Sequence, residues 1–154
     1  MARRNAITLA LLAVLVAPRL AQAQGSILVD FFAAPGTGFA DNTPATPVGG
    51  NPGITVGEQR IYVFLQAAAI WTQAIKPTND IYMAAQFTAL GPNVLGSAGP
   101  RFIWSNFPGA ELPNTWYFDT LADHLAQGDL SPPTYDIQAN FSTQFPFYLG
   151  FDGN

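Results

Sequence analysis

The chain holds one histidine, His124 in "LADHLAQ", and no cysteine. A metal site built on imidazole asks for a second ligand one helical turn away, and Thr120 and Gly128 occupy those positions. Asp123 points about 100° further around a helix, so His124 reads as a solvent-facing helix residue rather than a ligand. A serine nucleophile would need His124 as its base, yet neither Ser97 nor Ser105 lies in a G-x-S-x-G turn. Asp119, Asp123 and Asp129 are carboxylates enough for glycoside chemistry, but they are spread over a helix and its end, with no sign of burial. "GGNPG" has no following Lys and no strand-to-helix context, which excludes a phosphate cradle. Taken alone, these residue types assemble no catalytic constellation, and neither a metal nor a cofactor is expected to bind this chain.

The elements that would position such groups follow from periodicity. Thr55-Val56-Gly57-Glu58 has the spacing of a capping box and opens a helix. Ile61, Phe64, Ala68, Trp71 and Ile75 then recur every three or four residues over about five turns. Leu65 and Ala69 widen the stripe, and Pro77 ends it. This predicts a buried backing helix with Phe64 and Trp71 in the core. Ahead of it, Ile27 to Phe32 reads as a strand, followed by a loop rich in Gly, Pro, Thr and Asn.

Beyond the helix, "IYMAAQF" alternates as a half-buried strand, and Arg101 to Ser105 is a further strand candidate. Tyr117, Leu121 and Leu125 mark a shorter helix stopped at Gly128. In "YDIQANF", Ile137, Ala139 and Phe141 face inward while Asp136, Gln138 and Asn140 face outward, a one-sided strand of the antiparallel or edge type. A last strand is expected near 147–151. The order predicts an α+β fold: a mixed sheet with a long backing helix and a shorter second helix.

"MARRNAITLALLAVLVAPRLAQAQ" has Arg3 and Arg4 ahead of an apolar run and a small-x-small end, the pattern of a secretory signal peptide cleaved after Ala23. The expected organisation is a signal peptide at 1–23, a strand and Gly/Pro-rich lead-in at 24–54, and an α+β unit at 55–154. Cleavage leaves Arg60, Lys76 and Arg101 against ten acidic residues, a net of −7. So acidic a surface excludes nucleic acid as a partner, and without a basic cluster it offers nothing to an anionic membrane. The expected location is extracellular or in the cell envelope.

As an ordered set, "PVGGNPGITVGEQR", "FLQAAAIWTQAI", "DIYMAAQF", "LGSAGP", "FPGA", "TWYF", "LADHLA" and "YDIQANF" with "FYLGFDGN" resembles the N-terminal part of secreted bacterial zincin-like metallopeptidases, which often carry a protease-associated (PA) domain. The resemblance spans roughly residues 37 to 154. It implies that the chain is an incomplete zincin-like N-terminal subdomain, ending before the H-E-x-x-H helix that holds zinc and the general base in such enzymes. It further implies peptide-bond hydrolysis, with a peptide or protein substrate and zinc, in a full-length parent but not in this chain alone. Zincins take substrate as an added strand on a sheet edge. The resemblance assigns that edge to Asp136, Ile137, Gln138, Ala139, Asn140 and Phe141, or alternatively to 147–151. Without the active helix, the inward side of Ile137, Ala139 and Phe141 should be partly bare. The competing expectation is a non-enzymatic secreted or cell-surface binding or adhesion module.

Overall fold

A computed structural model describes residues 24–153. In chain order they form β1 (Ile27–Phe32), α1 (Val56–Ile75), β2 (Ile81–Thr88), β3 (Gly96–Pro100), β4 (Ile103–Trp104), β5 (Tyr117–Phe118), α2 (Asp119–Ala126) and β6 (Ile137–Ser142). Four strands make one sheet in the order β1-β2-β6-β3, with β1, β2 and β6 parallel and β3 antiparallel to β6. β4 and β5 form a separate antiparallel ribbon. The fold is α+β with a mixed sheet, one long helix and one short one.

α1 starts where its capping box sits. Thr55 Oγ1 accepts from the Glu58 N–H at 3.2 Å, and the Glu58 carboxylate accepts from the Thr55 and Ile54 N–H groups at 3.2 and 2.8 Å. It ends at Lys76, whose left-handed backbone (φ 47°) turns its N–H onto the Thr72 carbonyl at 3.0 Å. Pro77 has no N–H to carry the helix further.

Val29, Phe31, Ala85, Phe87 and Phe141 leave the sheet on the face that α1 covers, and meet Ile61 and Phe64 from the helix. The rings pack mostly edge to face; Phe64 lies 5.2 Å from Phe141 and 5.3 Å from Phe39 between centroids. Phe39 comes from the segment expected as a peripheral lead-in, on a 3-10 turn at Gly38–Ala40, and is buried at the centre of this cluster. Two glycines make that possible. Gly38 adopts φ 55°, and a Cβ on Gly57 would stand 2.5 Å from the Phe39 carbonyl oxygen, so the first turn of α1 rests directly on the Phe39 turn.

Several expectations are corrected. α1 is not buried along its stripe: Trp71 is 60% exposed, Ile75 49% and Leu65 47%, because the helix lies over β1 and the Phe39 turn and no layer of the described residues covers its other side. Arg101 to Ser105 holds a strand only over its middle, the short β4, while Gly96–Pro100 forms a further strand at an edge of the sheet. Its small residues carry no strand propensity, but an edge is held by backbone pairing, and Pro100 closes it. Tyr117 lies in β5 rather than on the short helix, which begins at Asp119 and ends through Gln127 in the left-handed conformation (φ 56°).

Residues 147–151 form no strand. They double back onto the Gly49–Asn51 turn, with the Phe151 N–H on the Gly49 carbonyl at 2.7 Å and Asn51 Nδ2 on the Leu149 carbonyl at 2.7 Å. The expected signal peptide lies outside the described residues, among which no helix is long and apolar enough to cross a membrane.

Candidate functional site

The expected edge strand is not an edge. Ile137–Phe141 lie in β6, which is paired on both sides, to β2 through Met83↔Ile137 and onward and to β3 through Ala98↔Ala139. Asp136 precedes the strand. β6 runs parallel to β2 and antiparallel to β3, with Ile137, Ala139 and Phe141 on one face and the polar Gln138 and Asn140 on the other. Among the described residues the edges of the sheet are β1 and β3. The strand beside β6 with an unpaired outer side is therefore Gly96-Ser97-Ala98-Gly99-Pro100, which bears little side chain to obstruct an approaching backbone.

On the α1 face the half of the sheet nearest β3 is incompletely covered. A cavity of about 220 Å³ is lined by Phe64, Ala67, Trp71, Met83, Ala98 and Phe141, and another of about 170 Å³ lies beside Val63, Phe147 and Leu149. Ile137 and Phe141 are half-buried and Ala139 is buried. This groove is apolar and carries no catalytic group.

The titratable groups gather at the other end of β6. Asp119 and Asp123, one turn apart on α2, are both buried, at 0% and 4% exposure, and Asp136 is 2% exposed. One carboxylate oxygen from each of Asp123, Asp129 and Asp136 lies within 4.8 Å of the others. Asp119 is satisfied by neutral donors: Trp104 Nε1–H donates to Oδ1 at 2.5 Å and the Ser131 hydroxyl to Oδ2 at 3.1 Å.

Asp123 Oδ1 accepts from the Leu130 N–H at 2.9 Å, Asp129 Oδ1 from the Ser131 N–H at 2.8 Å, and Asp136 Oδ2 from the Tyr82 N–H at 2.7 Å. Asp136 Oδ1 is buried and receives no hydrogen bond. Burial, and then the charges of its neighbours Asp119, Asp136 and Asp129, push the Asp123 carboxyl up to about 6 against the pull of the Leu130 N–H. Asp136 is raised by burial and then by Asp119 and Asp129. The one ion pair among the described residues, Arg60 with Asp41, involves none of these groups.

Sequence spacing alone did not assemble this cluster. Asp119 and Asp123 at i and i+4 share a helix face, which was a usable signal. What no local pattern could supply is the return of residues 129–136 across that face. His124 is exposed and shares a 2.9 Å hydrogen bond between its Nδ1 and the Thr78 hydroxyl. Ser97 lies on exposed β3, and Ser105 follows β4; neither has His124 beside it in a hydrogen bond. The described residues do not fit a zinc site: with one imidazole and no thiolate, the only clustered ligands are carboxylate oxygens, which suit a harder cation.

Comparison with known protein families, with characterised proteins and with solved structures finds no match to this chain.

Proposed function

We propose that this chain is the sheet-bearing N-terminal part of a secreted zinc-dependent peptidase of the zincin type, with hydrolysis performed only when a zinc-carrying helix is added. The observation that carries the reading is the apolar groove between α1 and the β6–β3 half of the sheet, walled by Phe64, Trp71, Ala98 and Phe141. It is the place where a second apolar helix would lie beside α1 and complete the layer. The antiparallel edge β3 next to β6 supports the same reading, since its outer side can accept an extended peptide by backbone pairing. In this role β3 replaces β6 as the substrate strand, while the chain itself supplies neither zinc ligand nor general base.

The test is to read the coding sequence past the Asn154 codon and express whatever frame follows. An in-frame H-E-x-x-H within a few tens of codons, with protein hydrolysis abolished by chelation and restored by zinc, is the expected result. A stop codon in intact genomic context, with the chain unfolding cooperatively as a monomer, would overturn the reading in favour of a binding or adhesion module.

A further inference from the structure

Three carboxylates from three different segments meet at the start of β6: Asp123 from α2, Asp129 from the following loop, and Asp136 from the residue before the strand. Like charges this close repel, and a buried carboxylate oxygen without a donor is costly. Asp136 has such an oxygen. Its Oδ2 is committed to the Tyr82 N–H, while Oδ1, on a side chain almost wholly removed from solvent, has no hydrogen-bond partner. No Lys or Arg among the described residues forms an ion pair with any of the three. A group that would satisfy Oδ1 and neutralise the cluster is thus called for by two separate observations, the convergence of charge and the orphaned acceptor.

We propose that Asp123, Asp129 and Asp136 form a binding site for a divalent cation of the calcium type. The donor set is all oxygen, which selects hard cations over zinc or copper. The size of the cluster argues for calcium over magnesium. An ion at a Ca–O distance of about 2.4 Å can bridge two oxygens up to about 4.8 Å apart on opposite sides of it, whereas Mg–O distances of about 2.0–2.1 Å reach no further than about 4.2 Å. The bound ion ties the C-terminal half of α2, the 127–136 loop and the entry to β6 into one unit. This site is independent of any zinc centre and of the peptidase reading.

The experiment is calorimetric titration of the purified, chelator-stripped chain with CaCl₂ and separately with MgCl₂, supported by displacement of Tb³⁺ luminescence by Ca²⁺. Expected is saturable one-site Ca²⁺ binding with Kd between about 10⁻⁵ and 10⁻³ M, and Mg²⁺ at least about tenfold weaker. Asp129→Asn, on the exposed loop, should weaken Ca²⁺ binding at least about tenfold, Asp136→Asn should abolish it, and Glu111→Gln, outside the cluster, should leave it unchanged.

Absence of saturable Ca²⁺ binding up to about 10 mM overturns the proposal. So does wild-type binding by the Asp129→Asn variant, or Mg²⁺ binding as tight as Ca²⁺. If Asp136→Asn does not fold, by circular dichroism, Asp129→Asn decides alone. If the wild type binds no cation and Asp136→Asn is the more stable protein, Asp136 is kept neutral by a proton and the cation site does not exist.

Discussion

Asp136 grips Tyr82 twice. Its backbone N–H donates to the Tyr82 carbonyl at 2.9 Å, and its Oδ2 accepts from the Tyr82 N–H at 2.7 Å, so one residue occupies both backbone groups of Tyr82 where β6 enters the sheet beside β2. Asp136→Ala leaves the Tyr82 N–H without its acceptor, while Asp136→Asn keeps an oxygen there. In cation-free urea denaturation the alanine variant should be less stable than the asparagine variant by about 1–3 kcal/mol. Equal stability would mean that the side-chain bond contributes nothing.

Arg60 joins α1 to the Phe39 turn and to β2 through three contacts. Its Nη1 donates to the Gly38 carbonyl at 2.8 Å, pairs with Asp41 at 3.4 Å, and its guanidinium lies 4.6 Å from the centre of the Phe87 ring. The carbonyl bond and the ring contact need a planar fork, so Arg60→Lys should cost more than Asp41→Asn, about 1–2 kcal/mol against less than about 1. Chemical denaturation of the two variants measures both.

Asp41 also makes stability depend on pH. Hydrogen bonds from Thr43, and then the Arg60 charge, hold its carboxyl below the usual 3.8. The unfolded chain therefore takes up this proton first as pH falls. The contribution is fully present above 3.8 and is lost as pH drops through the lowered value. Asp41→Asn should flatten the acid limb of a stability–pH curve in that window and leave the neutral limb in place.

Asn51 is buried and uses both ends of its amide. Nδ2 donates to the Gln59 carbonyl at 2.9 Å and the Leu149 carbonyl at 2.7 Å, and Oδ1 accepts from the Gly53 N–H at 3.0 Å. It thereby pins the 147–151 segment to the start of α1. Asn51→Ala should cost about 2–5 kcal/mol, since buried backbone groups lose their partner. Amide exchange in residues 147–151 should rise with it. Unchanged protection there would show that the segment is held by Phe147 packing instead.

The open side of α1 predicts association. Ile70 and Trp71 are 57% and 60% exposed, and Trp71 lines an apolar groove, so the chain should bind a hydrophobic dye and self-associate at micromolar concentration. The double substitution Ile70→Lys and Trp71→Lys should suppress both effects while changing stability by no more than about 1 kcal/mol, because little contact is lost. Sedimentation velocity on the two proteins separates the outcomes.

Elements whose partners are close in sequence were legible. The capping box, the strand Ile27–Phe32 and the alternation of β2 rest on local spacing, and the folded chain keeps them. Where position depends on distant partners, local pattern misled. β6 reads as one-sided because Gln138 and Asn140 are polar, yet it is paired on both sides; polarity reports which face is wet and says nothing of in-plane neighbours. β3 was missed because Gly, Ser and Ala carry no strand signal, and Phe39 because its burial depends on a turn that only Gly38 and Gly57 permit. The aspartates of the acidic cluster are scattered along the sequence, and their closure needs the 129–136 loop to fold back over α2.

The parallel pairings of the sheet have a consequence for how fast the chain can fold. Tyr82 and Asp136 are 54 residues apart, and so are Ser26 and Asp80 at the β1–β2 junction. Each pairing must close a long loop before any ladder bond offsets the lost entropy, which places folding in the slow, milliseconds-to-seconds regime of non-local topologies. During synthesis at about 5–20 residues per second, β2 is exposed for several seconds before β6 exists to cover it. For that interval Met83, Ala85 and Phe87 have no strand on their open flank.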